Sequence, residues 1–137
     1  MLRRDFISKI IEQMVNAIAR LLKIDFEKNT EKFLDEFDVL LDTYFQISDE
    51  ELEKLWDENE ERDALLLDEK LKNQMIHLFV NAGLAFQKTQ QEEKAKKCLK
   101  IIERIQNQHS NLYEFPSAES LKVQEKIETL TKKINIS

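Results

Sequence analysis

Apolar residues recur every three to four positions along the first third of the chain, which is the spacing of an amphipathic helix. This pattern predicts one helix over residues 3–23 and a second over residues 28–46. The apolar stripe of the first helix contains Ile7, Ile11, Met14, Ile18, Leu21 and Leu22. The stripe of the second contains Phe33, Phe37, Leu40, Leu41 and Tyr44. Charged residues occupy the opposite faces, so we expect both stripes to face a common core.

The start of a third, short helix is marked by residues that can cap it. Ser48 precedes Glu51 by three residues, which is the spacing of a capping box. Ile47 and Leu52 occupy the two positions of a hydrophobic staple. We therefore expect a helix to begin at Ser48.

An acidic run follows this start: residues 49–63 contain nine acidic side chains and two basic ones. Such runs occur in metal-binding loops, but a calcium loop needs a central glycine and this run has none. We interpret the run as solvated helix surface and linker.

The second half of the chain predicts three further helices, over residues 63–88, 90–107 and 117–134. The first of them is apolar around much of its circumference, with Leu67 at the start of its stripe, and this is typical of a central helix. Thr89 and Glu92 have the spacing of a second capping box. Ser117, directly after the sole proline, is the predicted cap of the last helix.

Composition supports an all-α fold. The 137 residues include one Gly and one Pro, the two residue types that mark most turns and helix breaks. We predict a single domain over residues 1–137, built as a compact bundle of five or six helices. Its predicted parts are an N-terminal helix pair (1–47), a short acidic helix and linker (48–62), a second helix pair (63–109) and a capping helix (117–134).

Seven residues of the second pair match a known repeat pattern: Phe79, Ala82, Gly83, Phe86, Ala95, Leu99 and Ile102. With this spacing, residues 76–109 resemble one tetratricopeptide helix pair, in which Gly83 and Ala95 let the two helices approach closely. Two positions depart from the pattern, because Asn107 stands where the repeat usually has proline and Ile102 replaces a usual alanine. No second copy follows at an offset of about 34 residues, so flanking helices must complete the core.

The tetratricopeptide resemblance implies a partner-binding face on the first helix of the pair. The matching positions are His77, Val80, Asn81, Leu84, Gln87 and Lys88. In the repeat family the first-helix positions line a concave surface that binds peptides. With a single repeat this groove is either short and open or covered by the N-terminal helices, and the sequence leaves both arrangements open.

The opening residues Arg4-Asp5-Phe6-Ile7, with Ile10-Ile11-Glu12, resemble the start of a family of small bacterial proteins of unknown function. That resemblance implies a helical bacterial cytoplasmic protein and supplies no activity. The lone cysteine, Cys98, fits a reducing compartment. The chain has no uninterrupted apolar run for a signal peptide or a membrane span, so we expect a soluble cytoplasmic protein without membrane contact.

Sequence patterns for catalysis are missing. His77 has no glutamate three residues before it, and His109 has no acidic residue at helical spacing. There is neither a Gly-rich phosphate loop nor a nucleophile motif. We therefore predict no enzyme activity, no cofactor and no metal. The alternative is an uncharacterised enzyme or ligand-binding regulator whose polar site lies between helices and joins residues distant in sequence.

The net charge is −6, and the charged residues are distributed unevenly along the chain. Residues 25–87 carry eighteen acidic and six basic side chains, whereas residues 88–137 carry seven acidic and ten basic ones. The acidic middle disfavours nucleic acid as a partner. A competing hypothesis places nucleic acid on the basic residues of the C-terminal half, which are Lys94, Lys96, Lys97, Lys100 and Arg104. We predict instead a non-catalytic module that binds a protein or peptide, including a second copy of itself as a homodimer, because basic ends and an acidic middle attract each other between copies.

Overall fold

The computed structural model describes residues 4–57, 59–108 and 118–136. These residues form six α-helices and one 3₁₀ helix, with no strand among them, so the predicted all-α bundle is confirmed. In chain order the elements are α1 (Arg4–Leu22), α2 (Thr30–Phe45), the 3₁₀ helix (Asp49–Trp56), α3 (Glu60–Leu65), α4 (Glu69–Lys88), α5 (Glu92–Gln108) and α6 (Ala118–Ile136). His109 and the predicted cap Ser117 lie outside the described residues.

Helix α4 is the centre of the bundle. It contacts α1, α2, α5 and α6. Every residue from 78 to 86 is buried, so neighbours cover the helix on all sides. The prediction of a central helix is therefore confirmed, and the reason is the apolar circumference read from the sequence.

An aromatic cluster fastens α2 to α4. Phe37 lies at the middle of this cluster, with its ring centroid 5.5 Å from that of Phe79 and 6.0 Å from that of Phe86. Both pairs are edge-to-face, which is a favourable arrangement of aromatic quadrupoles. Phe33 stacks on Phe37 from one turn earlier in α2. These rings hold α2 against the central helix.

The single helix predicted over residues 63–88 is wrong, because the chain breaks between α3 and α4. Asp68 causes the restart: its carboxylate accepts a hydrogen bond from the backbone N–H of Leu71 at 2.9 Å and caps α4. Leu67, predicted to lie on the buried stripe, falls in the connection and is 69% exposed. The spacing of apolar residues continues from α3 into α4 and does not reveal the break. The Asp68 cap determines where α4 begins.

Of the two predicted capping boxes, one is confirmed. Ser48 caps the 3₁₀ helix, and its backbone N–H donates to the Glu51 carboxylate at 3.1 Å. Thr89 instead ends α4, because its hydroxyl donates to the carbonyls of Ala85 and Phe86 at 3.1 and 3.2 Å. Gln90 then adopts a left-handed φ of 61°, and the chain turns into α5.

Gly83 allows a close approach of helices, but the closest neighbour is α6. A Cβ atom at this position would lie 2.7 Å from Cδ2 of Leu130 in α6 and 3.5 Å from Cβ of Cys98 in α5. The sequence assigned the glycine to the contact between α4 and α5. The glycine is needed mainly for α6, and the tetratricopeptide-like character of the α4–α5 pair stays a prediction.

Candidate functional site

The partner-binding face predicted on α4 is largely covered. Val80, Asn81 and Leu84 are buried, His77 and Gln87 are half-buried, and Lys88 is exposed. A partner therefore reaches only the edges of this face in the present structure.

Lys126 of α6 covers the middle of the α4 face. Its ammonium donates to Oδ1 of Asn81 at 3.3 Å and lies 3.4 Å from Nε2 of His77. Asn81 is 3% exposed, and a buried amide needs such a partner. The same ammonium lies 5.8 Å from the ring centroid of Phe26, in the connection between α1 and α2. Three segments thus meet at Lys126.

The α1–α2 connection also reaches the end of the predicted face, where the Lys88 ammonium donates to the backbone carbonyl of Glu27. The sequence left open whether the N-terminal helices cover the face. At His77, Asn81 and Lys88 the contacting segments are α6 and the α1–α2 connection.

A second charged region lies on α5. The 3₁₀ helix and Asp57, here called the acidic strap (residues 49–57), lie along this helix. Lys94 forms ion pairs with Asp49 at 3.2 Å and Glu50 at 3.0 Å, and Lys97 pairs with Glu53 at 3.0 Å. The basic stripe of α5 is therefore bound by the most acidic segment of the same chain.

Trp56 extends this contact toward the end of the strap. The Lys100 ammonium lies 4.1 Å from the Trp56 ring centroid, a cation–π distance. The Trp56 indole N–H donates to the carbonyl of Lys97 at 3.5 Å, and Arg104 Nε donates to the carbonyl of Trp56 at 2.7 Å. Both the indole ring and the backbone carbonyl of Trp56 are thereby held on α5.

Two guanidinium groups close the end of the strap. Arg62 and Arg104 each donate to the backbone carbonyl of Asp57, at 2.7 and 2.9 Å. Carbonyls at the end of a helical segment lack partners within it and favour cations. Arg104 also pairs with the Asp63 carboxylate at 3.3 Å.

The pKa values in this region follow from these contacts. Burial by itself lowers the pKa of Lys94, but hydrogen bonds to Glu50 and Asp49 outweigh it and the net shift is upward. A hydrogen bond from its own backbone N–H, followed by one from Lys97, lowers the pKa of Glu53. Burial, and then the nearby charge of Arg104, lowers the pKa of Arg62. The charges of Lys94 and Glu53 are thus stabilised by their partners, whereas burial and Arg104 disfavour the charge of Arg62.

This pairing bears on the hypothesis of a nucleic-acid surface on α5. Of the five basic residues that carry it, Lys94, Lys97, Lys100 and Arg104 already contact the strap. Lys96 pairs with Glu93 at 3.7 Å. Phosphate binding depends on clustered basic groups that are accessible, and here the strap competes for them.

An open groove lies between α1 and α2, with a volume of about 340 Å³. Its floor is apolar and belongs to the core, since Leu21 and Leu40 are each 5% exposed. Val39 stands on the α2 wall with 60% of its surface exposed. Arg20 on the α1 wall and Glu36 on the α2 wall line the groove and are exposed, and neither forms an ion pair within the described part of the chain.

The sequence contained a signal for this groove that its apolar stripes did not use. Val39 lies four residues after Asp35 and three before Asp42, on the face assigned to solvent. A single apolar residue on such a face is common and carries little weight alone. Its position beside a cleft became evident only from the packing of α1 against α2.

The cavity under the strap and the buried thiol offer little scope for chemistry. The cavity under the strap, beside Met14, Leu71 and Ile101, measures about 20 Å³, which is room for about one water. Cys98 is fully buried and burial raises the pKa of its thiol, which makes it unreactive. Among residues 4–57, 59–108 and 118–136, no three metal-ligating side chains come together, and no helix is long and apolar enough to cross a bilayer.

Comparison with protein-family models, curated proteins and solved structures finds no match to this chain.

Proposed function

We propose that this chain is a non-catalytic protein-interaction module and that the α1–α2 groove is its binding surface. The observation that carries the proposal is the combination of an apolar floor, an exposed Val39 and two unpaired charges in one open cleft. Protein interfaces have this arrangement, with an apolar centre and a polar rim.

Rigidity of the groove supports the proposal. Leu21 and Leu40 belong to the hydrophobic core that also contains Phe37 and Phe79, so the floor is fixed by the packing of the whole bundle. A preformed surface loses less conformational entropy on binding than a mobile one. A partner helix can lie between two such walls.

The α4–α5 pair is the scaffold in this proposal, with tetratricopeptide-like packing. Ala95 and Ile102 are buried in its contact and Leu99 is half-buried. The buried, unreactive Cys98 is compatible with the bacterial cytoplasm, which we propose as its compartment.

A photo-crosslinking amino acid at position 39 tests the proposal. We expect irradiation of native lysate to give one discrete adduct of the full-length chain. Leu67 is a matched control, because it is equally apolar and 69% exposed but lies in the α3–α4 connection, away from the groove. An adduct from position 39 with none from position 67 supports the proposal, whereas equal or absent adducts contradict it.

A ligand-binding regulator is the second candidate, and the cluster of His77, Asn81 and Lys126 favours it. An imidazole, an amide and an ammonium within hydrogen-bond distance can bind a small anionic ligand once Lys126 moves. A thermal-shift screen of small carboxylates and phosphates tests this function. Stabilisation that disappears in Lys126→Met supports it, and a screen without any stabilising compound contradicts it.

A further inference from the structure

We infer that the α1–α2 groove binds a second copy of this chain. In the resulting two-fold symmetric dimer, the grooves of the two copies face each other. The inference rests on the proposed function and names its partner. It follows from the charges on the two walls, from the apolar rim and from the state of the other charged surfaces.

The two walls carry opposite charge. The charged residue that lines the groove on α1 is Arg20, and the charged residue that lines it on α2 is Glu36. Both side chains are exposed. A uniformly basic or acidic partner would meet one wall of like charge, and like charges across an interface are unfavourable.

A second copy avoids this conflict through symmetry. In a two-fold interface each contact occurs twice, with residue i against residue j and residue j against residue i. An α1 wall placed against the partner's α2 wall therefore brings Arg20 to an acidic surface and Glu36 to a basic one, in both halves at once. The groove is complementary to itself.

The rim of the groove is less polar than its sequence indicates. The Thr43 hydroxyl donates to the carbonyl of Val39 at 2.8 Å, so its proton is used within α2. Val39 is one turn away and 60% exposed. Ala17 on the opposite wall has the shortest side chain of the lining, which leaves room for a neighbouring backbone to approach. A dimer would bury this apolar surface.

Two other charged surfaces, on α5 and on α4, are already occupied within the chain. Lys94 and Lys97 pair with the acidic strap, and Lys126 covers the α4 face. Arg20 and Glu36 are the charges left beside an open apolar groove in the described residues. The sequence predicted that the basic ends of one copy attract the acidic middle of another. We assign this attraction to α1 of one copy and α2 of the other.

Charge reversal in the purified full-length chain tests the inference by sedimentation velocity over a concentration series at low salt. We expect the wild type to approach twice the mass of one chain as concentration rises. Arg20→Glu and Glu36→Lys should each weaken self-association by about tenfold, because symmetry doubles the effect of an exposed pair. The double variant R20E/E36K should return to within about threefold of the wild type. Raising the salt concentration should weaken the wild-type dimer.

Two control variants change net charge by the same amount outside the groove lining. Lys23→Glu matches R20E, and Asp35→Lys matches E36K, since both residues are exposed and neither lines the cleft. Circular dichroism establishes that every variant is folded. The inference is overturned by a wild type that stays monomeric, by single reversals that act no more strongly than their controls, or by a double variant that is not restored.

The same data separate this inference from the proposed function. A monomeric wild type whose position-39 crosslink has the mass of a different protein overturns the second-copy partner and leaves the interaction module supported. A monomeric wild type with no position-39 adduct overturns both. An adduct of twice the chain mass, together with charge rescue, supports both.

Discussion

The acidic strap and the α1–α2 groove both combine apolar residues with charges of both signs, but their charges have different partners. In the strap, Lys94, Lys97 and Arg104 bind carboxylates and carbonyls of the same chain. In the groove, Arg20 and Glu36 line an open cleft without an ion pair in the described residues. Charged residues in a sequence therefore indicate a binding partner only if they do not form ion pairs within the fold.

Removing an apolar side chain should have very different consequences in the two regions. Leu52 of the strap is fully buried, so Leu52→Ala should lower the free energy of unfolding by about 2–5 kcal/mol through lost packing and a residual cavity. Val39→Ala in the groove should change it by less than about 0.5 kcal/mol, because Val39 is mostly exposed. Urea denaturation in dilute solution, where the chain is monomeric, measures both. Similar losses would contradict the division into a packed strap and an open groove.

Substitution of Arg104 at the strap should also lower the free energy of unfolding more than substitution of Arg20 in the groove. Arg104 donates to the carbonyls of Trp56 and Asp57, with a side chain that is 19% exposed. Arg104→Met leaves the Trp56 carbonyl without its charged donor and the Asp57 carbonyl with Arg62 alone, and should cost about 1.5–3 kcal/mol. Arg20→Met should cost less than about 0.5 kcal/mol in the monomer. The same denaturation measurement applies, and an Arg104 variant as stable as the Arg20 variant would show that the strap is not held by its arginine.

Acid should loosen the strap before it unfolds the bundle. The folded-state pKa of Glu53 is lowered, so the stabilisation is present above the ordinary glutamate pKa of about 4.3 and is lost as the pH falls through the folded value. Trp56 is the sole tryptophan and lies on the strap, so its emission should shift to the red while far-UV circular dichroism is retained. Glu53→Gln should reduce the size of this acid transition, whereas Glu36→Gln should leave it unchanged. Emission that changes only together with circular dichroism would argue against a separable strap.

Much of the fold follows from local sequence signals. The apolar stripes predicted α1 and α2, and the Ser48 capping box gave the start of the 3₁₀ helix. The predicted helix boundaries were wrong where a polar side chain forms a hydrogen bond to the backbone, because residue spacing does not specify such bonds. Asp68 restarts α4 inside an apolar pattern, and Thr89 ends one helix rather than starting the next.

The candidate site was less predictable because it depends on contacts between distant segments. The resemblance placed a binding face on α4, but Lys126 comes from 45 residues beyond Asn81 to cover it. Pairing of Lys97 with Glu53 spans 44 residues. No local pattern predicts these contacts, nor the packing of α1 against α2 that forms the groove.

Mixing the two single-reversal chains tests the central claim most directly. Among the residues that line the groove, the R20E chain carries acidic charge on both walls and the E36K chain carries basic charge on both walls. Each should sediment as a monomer at concentrations where the wild type is dimeric. An equimolar mixture of the two, distinguished by different fluorescent labels, should form a heterodimer at least as stable as the wild-type dimer, because every wall then meets its opposite. A mixture that stays monomeric, or single variants that dimerise as well as the wild type, would contradict the assignment of the groove to a second copy.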